Sequence, residues 1–201
     1  MENTACRYDV GVIHGRFQVL HNDHLKYLLS GKQLCRHMVV GITNPDPSLV
    51  RSETADPNRS RLTTNPLTYY ERYILIGSAM KENNISSREV SIVPLPINRP
   101  ELYKYYVPMD AVFFLSIYDD WGKRKLSYFE SLGLKTHIIR KVPIAEKGIS
   151  ATDIRNFMIN NQPWEHLLPR SVARLMKQWQ IPERLKKLNQ NCGCSDKPFQ
   201  F

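Results

Sequence analysis

The sequence predicts an α/β fold: a parallel sheet of five main strands, doubly wound with helices on both faces, with extra helices at the C-terminal end. Two observations carry this. Five short runs bounded by turn formers read as strands, the first two of them buried. The stretches between them carry helical spacing or helix-start signals. Strands that alternate with helices build parallel sheets, and ligands bind such sheets at the carboxyl ends of the strands, where the winding direction switches.

The first run is Val10-Gly11-Val12-Ile13, leading into Gly15. Leu25, Leu28 and Leu29 then recur at helical spacing, and Val39-Val40-Gly41-Ile42-Thr43 forms the second strand. Residues 44–66 are rich in Pro, Asn, Asp and Ser and read as a long loop, a length that is uncommon and often functional. Thr68-Tyr69-Tyr70-Glu71 matches a capping box and opens a helix through Ile74, Leu75 and Met80. Val90–Val93, Ala111–Leu115 and Thr136–Ile139 are the remaining strands, with a helix over roughly 121–132. Ser150 to Asp153 is a second Ser-x-x-acid helix start, and helices are expected over 170–179 and 182–188. The expected organisation is one domain over 1–189 and a loose tail over 190–201.

The chain is 201 residues long, with 42% hydrophobic and 23% charged residues, ordinary values for a single globular domain with a real core. No apolar run reaches membrane-spanning length, and the N-terminus has no signal-type stretch, so no membrane partner and a cytoplasmic location are expected. A net charge of +9 favours polyanionic partners, either nucleic acid or nucleotides carrying several phosphates. Arg170, Arg174, Lys177, Arg184, Lys186 and Lys187 crowd one stretch with little aromatic interleaving, which reads as a solvated helix face and not as a nucleic-acid surface. Cys192-Gly193-Cys194 lies in a polar tail with no second ligand pair at zinc spacing, so reduced thiols are expected and no metal ligand is assigned.

Two stretches carry chemistry. Gly15-Arg16-Phe17-Gln18-Val19-Leu20-His21-Asn22-Asp23-His24 follows the first strand and opens a helix. Glycine allows close backbone approach to a phosphate, arginine offers a donor fork matched to its oxygens, and a helix start attracts anions. Two histidines three apart share a face there. Gly148-Ile149-Ser150-Ala151-Thr152-Asp153-Ile154-Arg155 places hydroxyls at another helix start with an arginine one turn on. Taken alone, it reads equally as an anion site or as an ordinary N-cap with a surface arginine.

These stretches resemble the HxGH and (S/T)xTxIR signatures of the HIGH-motif nucleotidyltransferase superfamily, and more narrowly the archaeal-type nicotinamide-mononucleotide adenylyltransferases, which open with GRFQPxHxGH. Asn65–Arg72 resembles that family's NPFTxxER helix start, and Gln162–Pro169 its WxxLVP segment; the likeness covers residues 9 to about 178. Four separated motifs in the right order make chance a poor explanation. The resemblance implies a Rossmann-like fold and transfer of a nucleoside monophosphate from a triphosphate with Mg²⁺ to a phosphorylated small-molecule acceptor. ATP and nicotinamide or nicotinate mononucleotide are the leading pair. It assigns catalytic roles to His21, His24 and Arg155, triphosphate contacts to Gly15, Arg16, Phe17, Ser150 and Thr152, and acceptor contacts to Asn98, Tyr103 and Arg72. It also implies a homo-oligomer. Arg155, read as surface-facing, is expected to act without holding the core.

Two departures keep alternatives open. Val19 stands for the motif proline and Asp23 for its glycine; Asp23 could cap the helix, hold Mg²⁺, pair with Lys26, or mark a nucleotide-binding regulator without activity. In the acceptor segment Pro96-Ile97-Asn98-Arg99-Pro100-Glu101-Leu102-Tyr103, the family's acid and stacking tryptophan are absent, with Tyr103 as the substitute ring or as plain packing. That segment motivates a second pair: CTP as donor, or another phosphate or phosphonate ester as acceptor. Arg51, Arg59 and Arg61 of the long loop could close over phosphates or simply be solvated.

Overall fold

A computed structural model describes residues 6–46, 64–143 and 148–191. The long loop with Arg51, Arg59 and Arg61 and the Cys192–Cys194 tail lie outside the described residues. Five strands, β1 (Tyr8–Gly15), β2 (Cys35–Thr43), β3 (Val90–Leu95), β4 (Val112–Ile117) and β5 (Lys135–Lys141), form one sheet of order β3-β2-β1-β4-β5. Every pairing is parallel. The order steps outward from β1 in one direction and then reverses at β4, so the crevice between the carboxyl ends of β1 and β4 is the switch point. This is the Rossmann-like sheet expected from the sequence.

The strands extend beyond their apolar cores. β3 accommodates Pro94 because it is an edge strand, where a missing N–H costs no ladder bond. Between the strands run α1 (Asn22–Leu34), α2 (Tyr69–Glu82) and α3 (Asp120–Ser131); α4 (Ala151–Ile159), α5 (Arg170–Gln178) and α6 (Ile181–Asn191) follow β5. Both expected capping boxes form, Thr68 with Glu71 at α2 and Ser150 with Asp153 at α4. α6 runs to Asn191, past the boundary at 190 where the tail was expected, because Leu185 and the half-buried Leu188 keep its apolar spacing.

Two core layers cover the sheet. Ile13, Leu28, Val40, Leu75, Ile154, Met176 and Leu185 belong to one, which gathers α1, α2, α4, α5 and α6. Val12, Val39, Leu95, Tyr103, Phe113 and Phe129 belong to the other, under α3 and a 3₁₀ turn at Pro100–Tyr105. The period of two along β1 divides Val12 from Ile13 in this way.

The basic C-terminal stretch is an outward face. On α5, Val172, Ala173 and Met176 are buried and Arg170, Arg174 and Lys177 are exposed. Several of its cations have partners: Lys177 pairs with Glu165, Lys186 donates to Asn161, and Arg184 grips Glu71 of the α2 capping box with contacts of 2.7 and 2.9 Å.

Candidate active site

The turn after β1 is built under constraint. Phe17 has φ 52°, in the left-handed region that bulky residues avoid, while its ring is buried in the first core layer. That ring explains Gly15: a Cβ there would stand 2.9 Å from the Phe17 ring. Phe17 therefore shapes the turn from below, with its ring edge-on to His24 at 5.2 Å between centroids.

Three neighbours hold the turn. The Gln18 side chain makes a two-way amide pair with Leu67, donating to its carbonyl and accepting from its N–H, each at 2.9 Å. Arg72 donates to the carbonyls of Arg16, Thr43, Asn44 and Thr68 at 2.8–3.2 Å. Arg155 donates to the Gln18 carbonyl and to Thr152 Oγ1. The fourth motif closes on the same turn, since Asn22 Nδ2 donates to the His166 carbonyl at 3.0 Å. Four segments scattered over the chain thus meet around residues 15–24.

The two phosphate-type segments also touch directly. Gly148 has φ +76°, and a Cβ there would lie 2.4 Å from Asp23 Oδ2. Asp23, in place of the motif glycine, is seated against a glycine of the other segment. It does not cap α1; His21 does, with Nδ1 accepting from the His24 N–H at 3.4 Å. Asp23 meets Lys26 at 3.4 Å, and with the lysine exposed the pair carries small energetic weight.

The histidines are stacked, ring centroids 3.8 Å apart. His21 is buried, and that burial lowers its pKa to about 4 against the partial opposition of Asp23 and Asp153. The ring is therefore neutral at physiological pH. With Nδ1 accepting, its proton sits on Nε2, so His21 supplies a neutral hydrogen-bond donor. His24 Nδ1 lies 3.2 Å from the Val19 carbonyl, which can only accept, so this nitrogen carries a proton.

Stability follows from the same burial. Between pH 6.5 and about 4 the unfolded chain takes up a proton on His21 that the folded chain excludes, so stability falls as pH drops through that window. His14, also buried and held well below the usual imidazole range, adds in the same direction. The expected His21 contribution is about 3 kcal/mol over the whole window. Thermal unfolding from pH 7 to 4 checks it, and His21→Asn, which retains a capping side chain, should flatten the slope.

Arg155 is a correction to the surface position expected. It is only 5% exposed, and burial, then the nearby Arg16 charge, lower its pKa to about 10, so it stays charged at neutral pH. Two of its five donors are engaged as above; the other three have no partner among the described residues. Arg16, Arg72 and Arg155 lie near enough for the Arg16 charge to depress both of the others. Like charges gathered at two helix starts create a site for a polyanion. Ser150 is committed to its cap, donating to Asp153 Oδ2 at 2.6 Å, while Thr152 is exposed at the first turn of α4.

The acceptor residues separate. Arg72 is 2% exposed, with its guanidinium directed at four carbonyls, so it braces the strand ends and does not face a ligand. Tyr103 is fully buried, donates to the Ile97 carbonyl at 2.6 Å and packs edge-on against Phe129, so its ring has no open face for stacking. Asn98 is half-buried in the loop between β3 and the 3₁₀ turn. Sequence reasoning missed Gln18, Asn22 and His14. The only local signal among them was His14, a polar residue inside an apolar strand next to Gly15.

For Mg²⁺, no group of three or more His, Cys, Asp or Glu side chains able to hold a metal exists among the described residues. A magnesium ion ligated mainly by substrate phosphates needs about one protein carboxylate, and Asp23 at the start of α1 has that donor type. A cavity of about 730 Å³ lies elsewhere, past the far end of α4, lined by Trp164, Lys177, Glu183 and Lys186 among others.

Comparison with known proteins identifies the family and the fold. Residues 12–157 match the cytidylyltransferase-like family model. The chain is 47% identical over 176 residues to a phosphonoformate cytidylyltransferase of Streptomyces viridochromogenes, covering 88% of this chain and 95% of that one. It is 29% identical over 192 residues to a nicotinamide-nucleotide adenylyltransferase of Thermococcus kodakarensis, with 94% of each chain covered. A crystal structure of a bifunctional NMN adenylyltransferase/ADP ribose pyrophosphatase from Francisella tularensis superposes with a TM-score of 0.64 at 17% identity, a likeness of fold alone. It covers 95% of this chain, which spans 58% of that structure's length.

Proposed function

The chain belongs to the cytidylyltransferase-like family, and from that premise we propose that this nucleotidyltransferase moves the cytidine monophosphate half of CTP onto a small carboxylated phosphonate such as phosphonoformate, releasing pyrophosphate. The observation that carries the acceptor choice is the closed position of Tyr103. The acceptor segment's substitute for a stacking ring is fully buried, which suits a compact acceptor better than one with a nicotinamide ring. The 47% identity to a phosphonoformate cytidylyltransferase supports the same pairing. The adenylyl reading with nicotinamide mononucleotide, which the resemblance favoured, is supported by relatives near 30% identity.

In this reading the triphosphate lies between the starts of α1 and α4. An acceptor phosphonate oxygen attacks the α-phosphorus in line. The new P–O bond forms as the bond to the β-phosphate bridging oxygen breaks, and the electron pair leaves with pyrophosphate. The attacking oxygen is already anionic, so no base is needed, and the barrier is lowered by positioning and charge neutralisation. Arg16 and Arg155 provide fixed positive charge, His21 Nε2–H a neutral donor, and His24 a second imidazole. Mg²⁺, held by the phosphates and Asp23, would withdraw further charge from the phosphate oxygens.

The test is a matrix of CTP or ATP with phosphonoformate or nicotinamide mononucleotide, following pyrophosphate and the mass of the product. CTP with phosphonoformate should give the highest kcat/KM. Preference for ATP with nicotinamide mononucleotide would return the adenylyl reading. Tight CTP binding without turnover of any pair would make the protein a regulator.

A further inference from the structure

His14 is the penultimate residue of β1, immediately before the glycine that starts the phosphate turn. It is 6% exposed, and neither ring nitrogen has a hydrogen-bond partner among the described residues. A buried polar group without a partner costs about 1–3 kcal/mol relative to a satisfied one. An apolar residue would suit the position in a strand that otherwise reads Val12-Ile13, so the imidazole needs a reason to be there.

Its placement supplies one. Strand alternation directs His14 to the same side as Val12, opposite the layer that holds Phe17, Val19 and Leu20 under the phosphate turn. There its ring centroid is 5.3 Å from Phe129, which in turn is 6.4 Å from Tyr103 of the acceptor segment. His14 thus lies at the switch point between β1 and β4, with the triphosphate turn on one side and the acceptor segment on the other. Burial, with the Lys125 charge adding to it, keeps the ring neutral, so one nitrogen is an N–H donor and the other an acceptor.

We propose that His14 is the acceptor-selecting residue of this enzyme, donating its ring N–H to the carboxylate that a carboxylated phosphonate presents beside its reacting phosphonate. This rests on the cytidylyl-transfer reading above. It would explain why an orphaned imidazole is retained: the group is satisfied only when the acceptor is bound. A carboxylate-free acceptor would leave it unpaired, which penalises the wrong substrate.

The experiment has two arms. In the first, His14→Phe, similar in shape and without polar atoms, is assayed against CTP and phosphonoformate. The KM for phosphonoformate should rise about tenfold or more, the range for losing a hydrogen bond to a charged group, while the KM for CTP moves by less than twofold. His14→Gln, which restores a donor, should recover part of the loss. Thermal unfolding should show His14→Phe at least as stable as wild type.

The second arm needs no turnover. The His14 ring signals, assigned by their absence in His14→Phe, are followed by NMR as phosphonoformate is added to the CTP-bound protein. They should shift saturably, and less with methylphosphonate, which lacks the carboxylate. An inactive wild type whose His14 signal still shifts would overturn the transfer reading while leaving the His14–carboxylate contact in place. An active wild type with an unmoved His14 signal and an unchanged phosphonoformate KM in His14→Phe would overturn the inference alone.

Discussion

Arg155→Ala is expected to lower kcat/KM about a thousandfold, the scale of removing one preorganised charge donor from a phosphoryl-transfer site. The residue presents three unengaged N–H groups where two helix starts converge, and its remaining donors fix Gln18 O and Thr152 Oγ1. The substitution therefore removes charge and also loosens the turn that carries Arg16 and His21. A drop in stability of about 1–3 kcal/mol should accompany it, because the buried Gln18 carbonyl loses its donor. Arg155→Lys separates the two effects: it keeps the charge but not the planar fork, and should recover little of the rate. Pyrophosphate release measured below the melting temperature of each variant checks this. A folded Arg155→Ala protein within threefold of wild type would remove the residue from the site.

Arg72→Ala is expected to have the largest effect on stability. One guanidinium satisfies four carbonyls, those of Arg16 and Thr43 beside the switch point, Asn44 after β2, and Thr68 at the cap of α2. Removing it leaves those acceptors to find water in a site where the side chain is 2% exposed. A loss on the order of 3 kcal/mol or more follows. For a chain of this size that corresponds to a melting temperature lower by roughly 10 °C. Arg72→Lys should recover only part, since a single ammonium cannot reach four divergent acceptors. Urea titration of both variants measures the difference. An Arg72→Ala protein as stable as wild type would mean the bracing is not needed.

The two arginines show where sequence reading succeeds and where it stops. Both lie in motifs that stand out in the sequence, and both capping boxes form where their Ser/Thr-x-x-acid spacing places them. These are local signals, set by residues three or four apart. The strands were legible for a related reason, since each run is contiguous in sequence, although β5 has no buried residue and β3 buries only Leu95. What was not legible is which side of an arginine faces protein. Arg72 and Arg155 bond to residues as far as 56 and 137 positions away, and nothing in a local pattern encodes such a partner. An exposed position is the common expectation for arginine, and it fails for Arg155; Arg72, assigned to the acceptor, instead braces the strand ends.

Tyr103 takes the second of its two readings, plain packing. A tyrosine in a loop after the third strand suggests a stacking platform, but its hydroxyl finds the Ile97 carbonyl six residues back and the ring folds under the sheet against Phe129. Gln18 was read as one motif letter among several, although its amide joins two motifs through Leu67. His14 was passed over as part of a strand. Its meaning emerges only once the absence of a partner for either ring nitrogen is seen.

The proposed transfer depends on one pocket shared by the turn at 15–24 and the turn at 148–155. A crystal structure of the protein with CTP or a non-hydrolysable analogue tests this most directly. The triphosphate should lie between Arg16 and Arg155, with its oxygens at the N–H groups that open α1 and α4 and at His21 Nε2. A triphosphate bound in the Trp164 and Lys177 cavity, or contacting only one of the two turns, would contradict it.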